Sequence, residues 1–285
     1  MSHLMLSLLG SFQATLDGAP ITAFESDKVR ALLTYLAVES DRPQRREMLA
    51  GLLWPDMPER DARTNLRHVL ANLRKAIGDR DAVQPFLLTS RQTLQFNVES
   101  DYHLDVKTFT DAIAATIAHP HVKLEDCETC IVRLCEAAGL YNGEFLAGFS
   151  LDSDLFEAWI TTQREKLHIQ ALDALDHLAT YHEQLGEYTE VIRYAQRQVD
   201  LEPWRESAHR QWMHALACSG QRGMALAQYE ACRRILKAEL GIEPETATTV
   251  LYENIRCGDL RPQVRSADTQ SIISEPLWPV SIRVT

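Results

Sequence analysis

Between Arg60 and Arg80 the chain sets six basic side chains, Arg60, Arg63, Arg67, Arg74, Lys75 and Arg80, against two acidic ones, Asp61 and Asp79. A local charge of +4 suits one kind of chemistry, the neutralisation of a polyanion such as nucleic acid. The rest of the chain sharpens the contrast. Residues 1–100 hold 12 basic and 12 acidic side chains, whereas the remainder holds 17 and 28 and so carries the whole formal charge of −11. A solvated helix face would give the same local count, so the elements around this stretch must decide between the two.

A second stretch, "HPHVKLEDCETC", places His119 and His121 ahead of Cys127 and Cys130. Four such ligands within twelve residues suit a tetrahedral zinc site. The alternative is a cysteine that opens a buried helical stripe beside histidines on a polar loop, and both readings stay open. No second CxxC occurs, and Cys127, Cys130 and Cys135 lack the spaced fourth thiolate of an iron–sulfur cluster. No cofactor is implied elsewhere. Cys218, Cys232 and Cys257 fall at or near helical core positions, and Trp54, Trp159, Trp204 and Trp212 are expected as core anchors. Glu206, His209 and Arg210 suit helix-surface pairs or inter-repeat contacts rather than catalysis. No acid, base and nucleophile converge, so the chain is not expected to be an enzyme.

Three predicted helices and a hairpin must position the basic face. "LMLSLLGSFQATLDG" reads as two short strands with a turn at Asp17-Gly18. "SDKVRALLTYLAVES" is a helix capped at Ser26 or Asp27, with Val29, Leu32, Leu33 and Leu36 on one stripe. A short helix through Met48, Leu49, Leu52 and Leu53 stops at Pro55. The third helix carries the basic residues. Leu66, Val69, Leu70, Leu73 and Ile77 look inward, and the opposite face holds Thr64, His68, Ala71 and Lys75 between Arg63, Arg67 and Arg74. Phe86–Thr89 and Thr93–Val98 then form a β-hairpin around Ser90-Arg91-Gln92. This order is that of a winged helix-turn-helix, in which the third helix enters the DNA major groove and the wing lies against the backbone.

Beyond about residue 104 only helical patterns remain. "LDVKTFTDAIAATIA" and "CETCIVRLCEAAGLY" are two helices, and the long run from Asp154 to Gly186 is expected to bend or break. Leu172–Pro203 fits a 34-residue helix–turn–helix tetratricopeptide pattern, which Gly220, Ala225, Leu226 and Tyr229 repeat. The predicted fold is therefore mostly α. A winged-helix DNA-binding domain (1–103, α+β) precedes an all-α, tetratricopeptide-like domain (104–258). A linker or disordered tail (259–285) follows, in which "PLWPVSIRV" is a candidate interaction or strand segment. An alternative function is a protein-interaction adaptor whose repeat groove binds a partner while the N-terminal domain only packs. No window approaches the roughly 18 apolar residues of a membrane span. "MSHLMLSLLGSF" lacks a basic n-region and reads as a strand. The six cysteines do not make a disulfide scaffold in a chain of this length. The expected compartment is the cytosol, with no membrane partner.

"LLWPDMPERDARTNLRHVLANLRKAIGD", "LYNGEFLAGF", "DSDLFEAWITTQREKL", "EPWRESAHRQWMHALACSGQRGMALAQYEACRRIL" and "ELGIEPETAT" together resemble the SARP/AfsR-type bacterial regulators, over about residues 3–258. In that family an OmpR-like winged helix is followed by a bacterial transcriptional activation domain. The resemblance implies a transcription activator that binds promoter repeats side by side on double-stranded DNA, as pairs of chains, and contacts RNA polymerase. It also implies that Arg63, Thr64, Arg67, His68 and Lys75 face DNA; with Arg60 and the wing-tip Arg91 they form the candidate DNA-binding set. Many relatives carry an ATPase module after the helical domain. No GxxxxGK[ST] occurs in this sequence, so ATP hydrolysis is not expected of these residues.

Overall fold

A computed structural model describes residues 2–260 of the chain. The expected tail, with "PLWPVSIRV", lies outside the described residues apart from its first two positions. Strands β1 (Leu4–Ser7), β2 (Gln13–Leu16) and β3 (Ala19–Pro20) form an antiparallel meander. Helix α1 (Asp27–Val38) follows from an N-cap at Ser26 and buries Val29, Leu32, Leu33 and Leu36, as its stripe predicts. A two-residue strand β4 (Gln44–Arg45) leads directly into α2 (Arg46–Leu53), which ends with its C-cap at Trp54, just before Pro55. Helix α3 (Glu59–Ala76) carries the basic face. β5 (Leu87–Thr89) and β6 (Thr93–Phe96) make the wing, to which β4 adds a third strand through Gln44↔Leu94 and Arg45↔Thr93.

The expected division near residue 103 falls inside a short strand, β7 (Tyr102–Leu104). β7 runs parallel to β1, pairing Leu4↔Tyr102 and Leu6↔Leu104, and completes the sheet order β3-β2-β1-β7. Asp105 starts α4 (Asp105–Ala118) immediately after it. Its buried carboxylate accepts the backbone N–H groups of Leu8 (2.8 Å), Leu9 (2.9 Å) and Val106 (2.7 Å). Burial raises the Asp105 pKa, and these accepted bonds oppose the rise. The two halves are therefore joined by a ladder and a buried acceptor.

α5 (Glu128–Leu140) packs against α4. The next helix, α6 (Asp154–Leu185), is a single uninterrupted element of 32 residues, which overturns the expected bend or break. The reason is that successive parts of it are buried by different neighbours. Its first turns bury Phe156 and Ile160 beside α2, and its later turns bury Leu172, Leu175 and Leu178 against α7 (Tyr188–Leu201) and α8 (Glu206–Cys218). α9 (Arg222–Glu239) and α10 (Thr246–Cys257) finish the stack. Gly186 and Gly220, 34 residues apart, both adopt left-handed backbone where a hairpin turns, the conformation that favours glycine. One apolar cluster runs from Leu4 to Ala215, and a smaller one gathers Met213, Leu216, Ala225, Tyr229 and Ile255. Trp204 is exposed rather than an anchor, its indole N–H donating to Glu202 at 3.0 Å. Of the later cysteines only Cys232 is buried, and Cys257 is exposed.

Replacing Asp105 by alanine strands the N–H groups of Leu8 and Leu9. An unpaired buried donor costs about 1–3 kcal/mol. Urea unfolding of Asp105→Ala should show a stability loss of at least that size; a loss near zero would mean that the junction is not held by this carboxylate.

Candidate nucleic-acid interface

The orientation of α3 follows from what it buries. Ala62, Leu66, Leu70 and Leu73 face the core, so a rotation of about 100° per residue turns the intervening residues outward. Arg60, Thr64, Arg67, His68, Ala71 and Lys75 are exposed, and Arg63 is half-buried. Two polar clamps fix the helix. The Asn72 side chain accepts the Glu25 N–H (3.2 Å) and donates to the Ala23 carbonyl (3.3 Å) just ahead of α1. Beyond the last turn, the buried Asp79 carboxylate accepts Nε of Arg74 at 2.6 Å and the Leu87 backbone N–H at 2.9 Å. That carboxylate ties the end of α3 to the first strand of the wing.

The wing tip is knotted by one hydroxyl. Ser90 Oγ accepts the backbone N–H groups of Gln92 (3.1 Å) and Thr93 (2.9 Å), which presents Arg91 exposed at the turn. Arg46, the first residue of α2, reaches the same tip. Its backbone N–H donates to the Gln92 carbonyl (2.9 Å) and its Nε to the Ser90 carbonyl (3.0 Å). Arg46, Arg63, Arg67 and Arg91 consequently line one cleft of about 260 Å³ between α2, α3 and the wing, with Glu47 as the acidic side chain among its lining residues. The Arg46 pKa is lowered first by burial and then by the Arg67 charge. Two cations held this close repel, and an anion placed between them relieves that cost.

The seven candidate residues do not all have the same freedom. Arg63 is paired to Glu47 of α2 and, at 2.9 Å, to Glu59, so its guanidinium holds α3 against α2. Thr64 donates its hydroxyl proton to the Arg60 carbonyl (3.0 Å) of its own helix. Arg60, Arg67, His68, Lys75 and Arg91 have no such tie among the described contacts. Arg46 was absent from the candidate set. "RPQRREML" carries the basic signal, but the spacing of its arginines does not say which one closes onto the wing.

A model of the bacterial transcriptional activator domain matches residues 104–256. The chain belongs to this family. It is 28% identical over 285 residues to the regulatory protein AfsR of Streptomyces coelicolor, covering 99% of this chain and 27% of the relative. AfsR of Streptomyces griseus is 25% identical over 286 residues, with the same coverage. The transcriptional regulatory protein EmbR of Mycobacterium tuberculosis is 26% identical over 257 residues, covering 89% of this chain and 63% of EmbR. The chain thus spans about a quarter of AfsR and under two thirds of EmbR. The solved structure of EmbR in complex with a low-affinity phosphopeptide superposes with a TM-score of 0.66 at 24% identity, over 90% of this chain and 66% of that one, and shows a common fold. The activator-domain match begins at Leu104, the last residue of β7, so the cleft of arginines lies wholly ahead of it. No helix among the described residues is long and apolar enough to cross a membrane.

Asp79→Ala removes the acceptor of the Leu87 N–H, which should cost about 1–3 kcal/mol and loosen the wing. Hydrogen exchange should show Leu87 and its β6 partners exchanging faster than in the parent chain. Unchanged wing protection would sink this account of how α3 and the wing are coupled.

Proposed function

We propose that the chain is a sequence-specific, DNA-binding transcription regulator of the activator type. In this reading α3 enters the major groove with Arg67, His68 and Lys75 toward base edges and phosphate, and the wing rests Arg91 on the backbone. The observation that carries it is the convergence of Arg46, Arg63, Arg67 and Arg91 on one cleft at the foot of an exposed basic helix. Phosphate is the anion that such spaced guanidinium groups match. Arg60 extends the same row by one helical turn, and Arg63 and Thr64 contribute through the shape of α3. Residues 1–103 carry DNA recognition, and 104–258 form the output domain, whose acidic excess repels the duplex. RNA polymerase is its proposed partner, and two copies bind repeated promoter sites side by side. These last two points rest on what membership of the activator-domain family implies.

The test is fluorescence anisotropy on a duplex chosen by selection from random DNA, repeated across salt concentrations. Arg46→Ala, Arg67→Ala and Arg91→Ala should each weaken binding to any duplex and reduce the salt slope by about 1. His68→Ala should instead relax preference at one base position, at a cost of about 1–3 kcal/mol on the selected site. If the folded arginine variants keep the parent affinity and slope, the cleft does not bind DNA. Binding to a protein partner with no salt-dependent affinity for duplex would favour the adaptor reading.

A further inference from the structure

The loop between α4 and α5 brings together the histidines and cysteines singled out by their spacing. His119 is the C-cap of α4, and Cys127 is the N-cap of α5. Cys130 lies one turn into α5 and is fully buried, whereas His121 is exposed on the loop. His119 Nδ1 lies 3.5 Å from Cys127 Sγ and 3.4 Å from Cys130 Sγ, and His121 Nδ1 lies 3.8 Å from the same Cys130 sulfur. The donor atoms of His119, Cys127 and Cys130 all fall within 4.8 Å of one another. The two imidazole rings stack with centroids 6.1 Å apart.

These separations can be compared with those that a metal would impose. Tetrahedral Zn²⁺ takes sulfur at about 2.3 Å and imidazole nitrogen at about 2.0–2.1 Å, which sets each S···N edge of the tetrahedron at about 3.6 Å. The three N···S distances bracket that value, so three ligands already occupy neighbouring corners. His121 shares one edge, at Cys130, and its exposed position on the loop leaves it the nearest candidate for the fourth corner. Two thiolates and two imidazoles form a donor set that favours zinc over harder cations. The 3-10 turn at Leu124–Asp126 anchors the middle of the loop, with Leu124 packed on the core and Glu125 2.7 Å from His177 Nδ1 of α6, while Val122 before it stands in solvent. The Arg133 guanidinium, fixed to the Ala115 carbonyl at 2.9 Å, stands beside Cys130 as an outer-shell donor.

We infer that His119, His121, Cys127 and Cys130 form a structural zinc site that staples the end of α4 to the start of α5. As the Zn–S bonds form, the two thiols release their protons to water, and no redox partner is needed. The site is separate from the arginine cleft and does not depend on the proposed function.

The experiment uses the full chain, made without a histidine tag in zinc-replete medium and kept reduced and free of chelator. Elemental analysis should find about one zinc per chain, and chelation should lower the melting temperature. Titration of the metal-free protein with Co²⁺ should give the intense visible bands of a tetrahedral site together with thiolate charge transfer. Cys127→Ser and His119→Ala, both at half-buried positions, should abolish those bands with the helical circular dichroism retained. His121→Ala should weaken zinc binding at least tenfold in competition with a chromophoric chelator. A zinc-free chain whose Co²⁺ spectrum stays that of the aqueous ion would overturn the proposal. So would a bound zinc that survives both Cys127→Ser and His119→Ala.

Discussion

The parallel pairing of β7 with β1 is the constraint on which the arrangement of the two halves depends. After the wing the chain comes back to its first strand, so α4 starts against β1 and Asp105 meets the N–H groups of Leu8 and Leu9. The following contacts continue that placement. Leu9 and Gly10 bridge to Phe145, and Ser153 Oγ donates to the Leu52 carbonyl at the end of α2. The Trp159 indole N–H donates to Glu39 just beyond α1 at 2.9 Å. The helices that line the arginine cleft therefore do not hang from a flexible linker. They share a continuous apolar core with the activator domain.

Charge is divided in the same way at two scales. Across the chain, the acidic excess lies beyond residue 100, leaving the first hundred residues neutral. Within those hundred residues, carboxylates take up the arginines on the inner side of α3 and leave the outer ones free. Glu47 and Glu59 hold Arg63, and Asp79 holds Arg74. The pairs of Arg63 are exposed and add little stability by themselves, whereas Asp79 is buried. Their effect is geometric: they fix where the helix sits, so that Arg67 faces Arg46 across the cleft.

The parts of the fold legible in the sequence were those whose cause is local. Helical stripes marked α1 to α5 to within one or two residues at each end. Ser90-Arg91-Gln92 marked the wing because the turn is closed by the serine's own hydroxyl. β3, β4 and β7 escaped, since strands of two or three residues carry no periodicity and draw their pairing from distant partners, as Leu4 does from Tyr102. α6 was misjudged for a related reason. Its buried side changes along its length with its neighbours, so its pattern reads as two helices. At the cleft, the exposed face of α3 followed from helical geometry, whereas Arg46 becomes visible only once β4 has paired with β6.

The continuity of α6 has a mechanical consequence. At 1.5 Å per residue, 32 residues make a rod about 48 Å long. One end rests beside α2, where Ser153 just ahead of it donates to the Leu52 carbonyl, and the other packs with α7 and α8. A tilt of about 5° about the midpoint carries each end through about 2 Å, from this length alone. In this respect α6 is a lever, and a tilt imposed in the repeat groove would reach the far end as a displacement comparable to an H···O separation.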